Sequence, residues 1–352
     1  MSNARINQLK KLLQKYRLDS FLVTSPTNIY YLSGFTGDEG LLLVTENETY
    51  LISDQRFEIE LNEQKNAIPV ITRNYLESAC EILKKENLVA LGFEESISYQ
   101  MYDQLDELSP ADIVPTENVI ESLRAIKSST EIQKIQQATQ IAQLGFEFFL
   151  NHLNQGLSER QLANQLDYFM KTKGATKESF DTIIASGQNT LAPHSTVSKR
   201  KIQANELVLL DFGYYYQNYT FDITRTVYVG KASSKVKELY QIVLEALNET
   251  TEILKPGLQI AQIYQQTINV FKKYQLEQYF THGIGHGIGL SIHELPILGN
   301  QSDEQLKPGE VITIEPGLYV PEIGGIRIEN DILITNDGFK NLSGFATKFI
   351  EI

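Results

Sequence analysis

The chain has a single cysteine, no apolar stretch long enough to cross a bilayer, and no long stripe of lysine and arginine. Cys80 alone cannot form an internal disulfide, which fits a reducing compartment. It lies in Leu76-Glu-Ser-Ala-Cys80-Glu-Ile-Leu, a helical pattern that predicts a buried structural thiol rather than a nucleophile. Residues 3–15 are polar and helical in pattern and lack the apolar centre of a signal peptide, so a cytoplasmic protein without membrane attachment is expected. Lys and Arg number 31 against 44 Asp and Glu, a net charge of -13 that argues against a nucleic-acid footprint. Lys199-Arg-Lys201 is a short basic cluster, read as a solvated loop.

What is present is the composition of a soluble globular protein, 42% apolar and 21% charged. At 352 residues it exceeds the usual size of one compact core, so two domains are expected. Residues 5–17 have helical spacing, Phe21–Thr24 reads as a short buried strand, and Leu41–Thr45 with Thr49–Ser53 as a hairpin. Strand and helix signals alternate to Val114. A long helix then starts at Ser128, where Ser128 to Glu131 supply capping residues. The boundary falls in 118–127, giving an α/β domain over 1–122 and a second over 123–352. The second reads helix, helix, hairpin, helix, helix, hairpin, two related halves that each deliver a pair of acids.

The first half carries Leu207-Val-Leu-Leu-Asp211-Phe-Gly213 and then Asp222; the second carries Val311-Ile-Thr-Ile-Glu315-Pro-Gly317 and then Glu329. Acids at the ends of apolar strands are costly to desolvate unless a cation compensates them. A tight turn at Tyr216-Gln217 or Gln217-Asn218 would set Asp211 and Asp222 on one face, and a turn near 322–325 would do the same for Glu315 and Glu329. A surface hairpin with solvated acids is the bland alternative, but Asp222-Ile-Thr-Arg-Thr-Val-Tyr-Val is too apolar for it.

Between the pairs lies His282-Gly-Ile-Gly-His286-Gly-Ile-Gly-Leu-Ser-Ile-His293. Its glycines permit close approach. A phosphate-cradling loop is disfavoured because the spacing is not G-x-G-x-x-G and no lysine is adjacent. His286 is the expected nitrogen ligand, with His282 and His293 lining the same cleft. One imidazole and four carboxylates suit Mn, Co or Zn. Four anions balance two divalent ions, and such a pair can activate a shared water. His194, in Leu191-Ala-Pro-His194-Ser195, is a candidate oxyanion donor or simply an exposed loop residue.

This set resembles the pita-bread metallopeptidases, and within them the proline-specific branch of aminopeptidase P and prolidase. The resemblance rests on Phe180-Asp-Thr-Ile-Ile-Ala-Ser-Gly, Asp211-Phe-Gly, Asp222-Ile-Thr-Arg-Thr, the His282–Leu290 segment, His293-Glu, Thr313-Ile-Glu-Pro-Gly-Leu-Tyr and Gly325-Ile-Arg-Ile-Glu329. Ser25-Pro-Thr-Asn-Ile-Tyr-Tyr-Leu-Ser-Gly-Phe-Thr-Gly37 resembles the creatinase-like N-terminal domain of the same enzymes. The resemblance implies two divalent ions, Mn first, with Asp211 and Asp222 on one, Asp211 and Glu329 bridging, and His286 with Glu315 on the other. It implies Glu315 as proton shuttle for a bridging hydroxide, His194 and His293 on the scissile carbonyl, His282 further out, and Arg327 orienting the acids. Phe180 and Ile292 become walls for a proline ring, although core packing would explain them equally. Proline-containing peptides would be the substrates, and the protein would be a homodimer.

Two departures bear on the substrate. Ser195 replaces the glycine that often follows the motif histidine, and Ile297 stands where relatives often carry arginine. A dipeptide presents its carboxylate beside proline and benefits from such a cation. Its loss favours longer peptides, an Xaa-Pro aminopeptidase, with an Xaa-Pro dipeptidase as the alternative if Arg56 or an arginine from a second subunit substitutes. A metal-free creatinase-like hydrolase or a non-catalytic binding protein would have no reason to keep all the ligands. A methionine aminopeptidase fits poorly with the long N-terminal region and His293-Glu.

Overall fold

A computed structural model describes residues 2–352, and the chain divides into two compact units after Arg124. In the first unit, strands β1 (Ser20–Val23), β2 (Leu41–Thr45), β3 (Thr49–Ser53), β4 (Ile68–Ile71), β5 (Ala90–Glu94) and β6 (Asp112–Thr116) form one sheet in the order β4-β3-β2-β1-β5-β6. β1 to β3 are antiparallel neighbours joined partly by the predicted hairpin, whereas β3–β4, β1–β5 and β5–β6 are parallel. Parallel pairs need crossovers, which helices such as Tyr75–Glu86 and Tyr99–Leu108 provide. Cys80 is buried on the first of these against Leu76, Leu83 and Leu91. Burial pushes its thiol up to about 11, so it is a packing group and not a nucleophile.

The second unit repeats a simple plan. Helices Ser129–His152 and Glu159–Thr172 precede the antiparallel sheet of β7 (Ile183–Ser186), β8 (Glu206–Phe212) and β9 (Ile223–Val229). Ser128 and Glu131 form a reciprocal capping box that fixes where the first helix starts. Helices Ser234–Glu252 and Ile260–Lys273 then precede β10 (His286–Gly287), β11 (Glu294–Ile297), β12 (Val311–Ile314), β13 (Gly317–Val320), β14 (Gly324–Arg327), β15 (Asn330–Ile334) and β16 (Phe339–Asn341). Five of these strands pair in the order β11-β10-β12-β15-β16, while β13 and β14 form a separate hairpin.

β8 and β9 are buried along almost their whole length because both of their faces are covered, even though β9 carries Thr224, Arg225 and Thr226. Leu210 and Phe212 pack with Phe149, Leu162, Leu166 and Met170 of the first helix pair. Ile312, Ile314, Ile326 and Ile328 pack with Leu239, Val243, Leu247, Ile263 and Val270 of the second. Two helical layers therefore clamp strands whose ends converge, burying Asp211, Asp222 and Glu329 and leaving Glu315 and His286 partly exposed.

Truncating Leu210, which is fully buried, to alanine is expected to lower unfolding free energy by about 2–5 kcal/mol. The same truncation at Ile297, 68% exposed, should stay within about 0.5 kcal/mol. Denaturant titration of both variants checks this.

Candidate metal centre

Each predicted ligand lies where an apolar strand ends. Asp211 is the penultimate residue of β8 and sits opposite Thr224 of β9, with Asp222 just ahead of that strand. The connecting turn is Gln217-Asn218, with φ of 50° and 68° and Tyr216 bonded to Tyr219 across it. Two left-handed residues in succession make the hairpin turn whose twist matches its strands. Glu315 follows β12 and Glu329 precedes β15, and Ile314 pairs with Asn330, so both glutamates leave the same end of one ladder. The two halves meet there: the Glu329 N–H donates to the Thr224 carbonyl at 3.1 Å, and the Thr224 hydroxyl donates to Glu329 Oε2 at 2.7 Å.

His286 sits on β10, where Gly287 packs so close to β11 that a Cβ would lie 2.2 Å from the Leu295 carbonyl oxygen. Its Nδ1 is 3.1 Å from the Gly287 carbonyl oxygen. A proton held there leaves the Nε2 lone pair facing Asp222 Oδ2 at 3.4 Å and Glu315 Oε1 at 3.9 Å. One ligand atom each from Asp222, His286 and Glu329 lies within 4.8 Å of the others.

Arg327 contacts one of the acids directly and reaches the others through a network. Its Nη2 donates to Asp211 Oδ2 at 2.6 Å and its Nε to Thr224 Oγ1 at 3.1 Å. Nη1 donates to the Tyr319 hydroxyl at 2.6 Å and to the Pro193 carbonyl at 3.1 Å. With the Tyr319 proton directed to His282 Nε2 at 2.9 Å and His282 Nδ1–H to the Gly283 carbonyl at 2.7 Å, both ring nitrogens of His282 are occupied. His282 therefore braces Tyr319 at the edge of the acid cluster, its Nδ1 3.8 Å from Glu315 Oε2. His293 lies next to His286, their ring centroids 4.4 Å apart and nearly perpendicular. His194 is exposed on its loop and, with Phe180, lines a cavity of about 580 Å³. Ile292 is half-buried beside His293 but does not line that cavity.

Three contributors escaped the sequence reading. Thr224 links Arg327 to Glu329, Tyr319 links Arg327 to His282, and the buried Asp331 accepts the Asp222 N–H at 3.2 Å. Alternation offered a signal for two of them, since Thr224 lies two residues from Asp222 and Asp331 two from Glu329, on the same strand faces.

The electrostatics call for cations. Asp211 Oδ1, Asp222 Oδ1, Glu329 Oε1 and Asp331 Oδ1 are buried without a hydrogen-bond partner. Burial raises Asp222 well above the usual carboxylate range, and Asp211, Glu315 and Asp331 raise it further. Burial and then Asp222, Glu315 and Asp211 raise Glu329 likewise. Glu315 is pushed up to about 7 by burial, against the opposing pull of His286 and Arg327, and Asp331 up to about 8 by burial. Burial lowers His282 to about 4, helped by Arg327, and lowers His293, so both rings are neutral at pH 7. Unpartnered carboxylate oxygens around one free imidazole nitrogen are the donor set of hard divalent ions, and the residues fit that cofactor.

Comparison with known proteins agrees with the geometry. Residues 133–336 match the description "Metallopeptidase family M24", and residues 5–126 match "Creatinase/Prolidase N-terminal domain". The chain is 37% identical over 343 residues to an uncharacterized peptidase of Bacillus subtilis, covering 96% of this chain and 97% of that one. It is 36% identical over 340 residues to a protein named Xaa-Pro dipeptidase from Pyrococcus furiosus, covering 96% and 97%. The solved structure of an Xaa-Pro dipeptidase from Bacillus anthracis superposes with a TM-score of 0.97 at 36% identity, covering all of both chains.

The raised carboxyls predict an unusual stability profile. A group whose folded pKa is raised stabilises the fold below its unfolded pKa, and that contribution is lost as pH rises through the folded value. His282 and His293 act oppositely, but only below about 6.5, where unfolded histidine takes up a proton. Metal-stripped protein should therefore lose Tm from pH 6.5 to 8.5, through the values of Glu315 and Asp331, and saturating divalent ion should abolish the loss. A flat or rising Tm without metal would contradict the electrostatic reading.

Proposed function

Because the chain belongs to metallopeptidase family M24, with a creatinase/prolidase N-terminal domain ahead of a pita-bread catalytic domain, we propose that it is an Xaa-Pro dipeptidase. It would hydrolyse the bond between an N-terminal residue and proline. The observation that carries the chemistry is the set of buried, unpartnered oxygens of Asp211, Asp222 and Glu329 around His286. Full-length similarity to proteins named Xaa-Pro dipeptidase supports the dipeptide subtype. It favours the alternative over the aminopeptidase preference expected from Ile297. A carboxylate can be held from several directions, so the missing arginine at Ile297 does not exclude a dipeptide.

Asp211 and Asp222 would hold one divalent ion, His286 and Glu315 the other, with Asp211 and Glu329 shared between them. Mn is the proposed metal; Co and Zn satisfy the same hard donors. When bound, the ions supply an activated water and polarise the scissile carbonyl. Glu315, only partly shielded and held through its N–H to the Ile284 carbonyl at 2.9 Å, would take the proton released by water and return it to the departing prolyl nitrogen. His293, neutral near pH 7, and His194 would donate N–H bonds to the carbonyl oxygen as charge grows on it. Arg327 would keep Asp211 oriented through its 2.6 Å bond, and His282 would keep Tyr319 turned toward Arg327. Phe180 on the cavity wall, and Ile292 beyond it, would pack the substrate's apolar surface. The same reading includes a cytoplasmic homodimer.

One observation favours longer peptides as a second reading. Ile297, an apolar side chain, is well exposed on β11 in register with His286.

Metal-stripped protein reconstituted with Mn should cleave an Xaa-Pro dipeptide faster than the matching Xaa-Pro-Yaa tripeptide, and neither without metal. Ile297→Arg should lower the dipeptide KM. Tripeptide preference would restore the aminopeptidase reading, and no turnover of either with Mn bound would end the peptidase assignment.

A further inference from the structure

Glu159 is the first residue of the helix Glu159–Thr172, fully buried, and no Lys or Arg forms an ion pair with it among the described residues. Arg200 supports it only at one remove, donating to the Ser186 hydroxyl at 2.6 Å, so direct hydrogen bonds must carry most of the compensation that a buried carboxylate needs. Its Oε1 accepts from the Ser186 N–H at 2.8 Å, the Ser186 hydroxyl at 2.7 Å and Asn189 Nδ2 at 3.0 Å. Its Oε2 accepts from the Ser198 N–H at 3.1 Å, the Ser198 hydroxyl at 2.6 Å and Asn189 Nδ2 at 3.1 Å. Ser186 ends β7 and Ser198 closes the loop that carries His194. One oxygen holds the way into the loop and the other the way out.

Between those ends the loop is pressed onto β14. Thr190 Oγ1 accepts the Gly325 N–H at 2.8 Å, and a Cβ at Gly325 would meet the Thr190 carbonyl oxygen at 1.9 Å. Pro193, one residue before His194, gives its carbonyl to Arg327 Nη1. The middle of the loop is thereby referenced to the arginine that orients Asp211, while Glu159 fixes the base. An exposed histidine on a loop would otherwise be a poor donor, because hydrogen-bond catalysis needs a fixed direction.

We infer that Glu159 is a positioning residue for His194: its buried carboxylate staples both ends of the loop that aims the imidazole. This rests on the role proposed above for His194. A carboxamide turns an NH2 group toward the backbone N–H of either Ser186 or Ser198, whose bond it cannot accept, and so loosens that end.

The test compares Glu159→Gln, His194→Ala and the double variant, each Mn-loaded, on an Xaa-Pro dipeptide. Glu159→Gln should keep wild-type metal content and lose about 10- to 100-fold in kcat. In the His194→Ala background it should change kcat by less than about twofold, since residues acting as a unit are not additive. Amide hydrogen exchange should quicken over residues 187–197 and stay unchanged over residues 206–212. Equal losses in both backgrounds, or exchange and kcat at wild-type values, would overturn the inference. If Glu159→Gln does not fold, Ser198→Ala removes one bond of the clamp without stranding a charge, and the same readouts apply. Failure of wild-type protein to cleave the dipeptide would count against the proposed function instead, and the exchange measurement would still decide whether the clamp exists.

Discussion

Mutual repulsion among buried carboxylates is the constraint on which the rest of the catalytic unit depends. Burial and neighbouring carboxylates raise the proton affinity of Asp222, Glu315 and Glu329, burial raises that of Asp331, and the guanidinium that contacts the cluster directly, Arg327, engages only Asp211. Nothing in the apolar layers relieves this, since β8, β9 and β12 are packed on both faces. Without cations Asp222, Glu315, Glu329 and Asp331 favour their protonated forms; with them they ionise and the unpartnered oxygens find ligands. The fold is thus a scaffold that forces acids together at the ends of strands too well buried to move apart.

A second level of order surrounds that cluster. From His282 through Tyr319 and Arg327 to Thr224 and Glu329 runs a chain of hydrogen bonds that touches both acids proposed to be shared between ions. Arg225, fully buried, adds a different support by donating to the carbonyls of Thr224, Glu329 and Ala346 and to the Asn330 side chain at 2.9 Å. Burial lowers it to about 10, so it stays charged at neutral pH. It ties the metal-facing strands to the C-terminal segment without spending its charge on a carboxylate. Together with the Glu159 staple, these contacts hold the acids and the His194 loop to one frame, as the geometry of carbonyl hydrolysis requires.

Much of this was legible in residue order because the chemistry is local. Leu-Leu-Asp211-Phe-Gly and Ile-Thr-Ile-Glu315-Pro-Gly advertise an acid at a strand end, and the glycines around His286 advertise a close approach. The helices announced themselves through Ser128-Glu131 capping and apolar periodicity. What could not be read were partners brought together over long sequence separations. Tyr319 and Thr224 look like ordinary strand residues until Arg327 joins them. Glu159 looks like a helix-start acid until Ser186 and Ser198 fold onto it. Ile297 alone leaves the substrate subtype open, because a carboxylate beside proline can be held by any cation the folded cleft brings near.

The most direct test of the central claim is calorimetric titration of metal-stripped protein with Mn near pH 7 in buffers of different ionisation enthalpy. The repulsion account predicts two ions bound per chain with protons released on binding, as carboxyls held protonated by burial and by each other ionise. Binding of two ions without proton release, or no binding at all, would show that the buried acids are not the cation-demanding cluster described here.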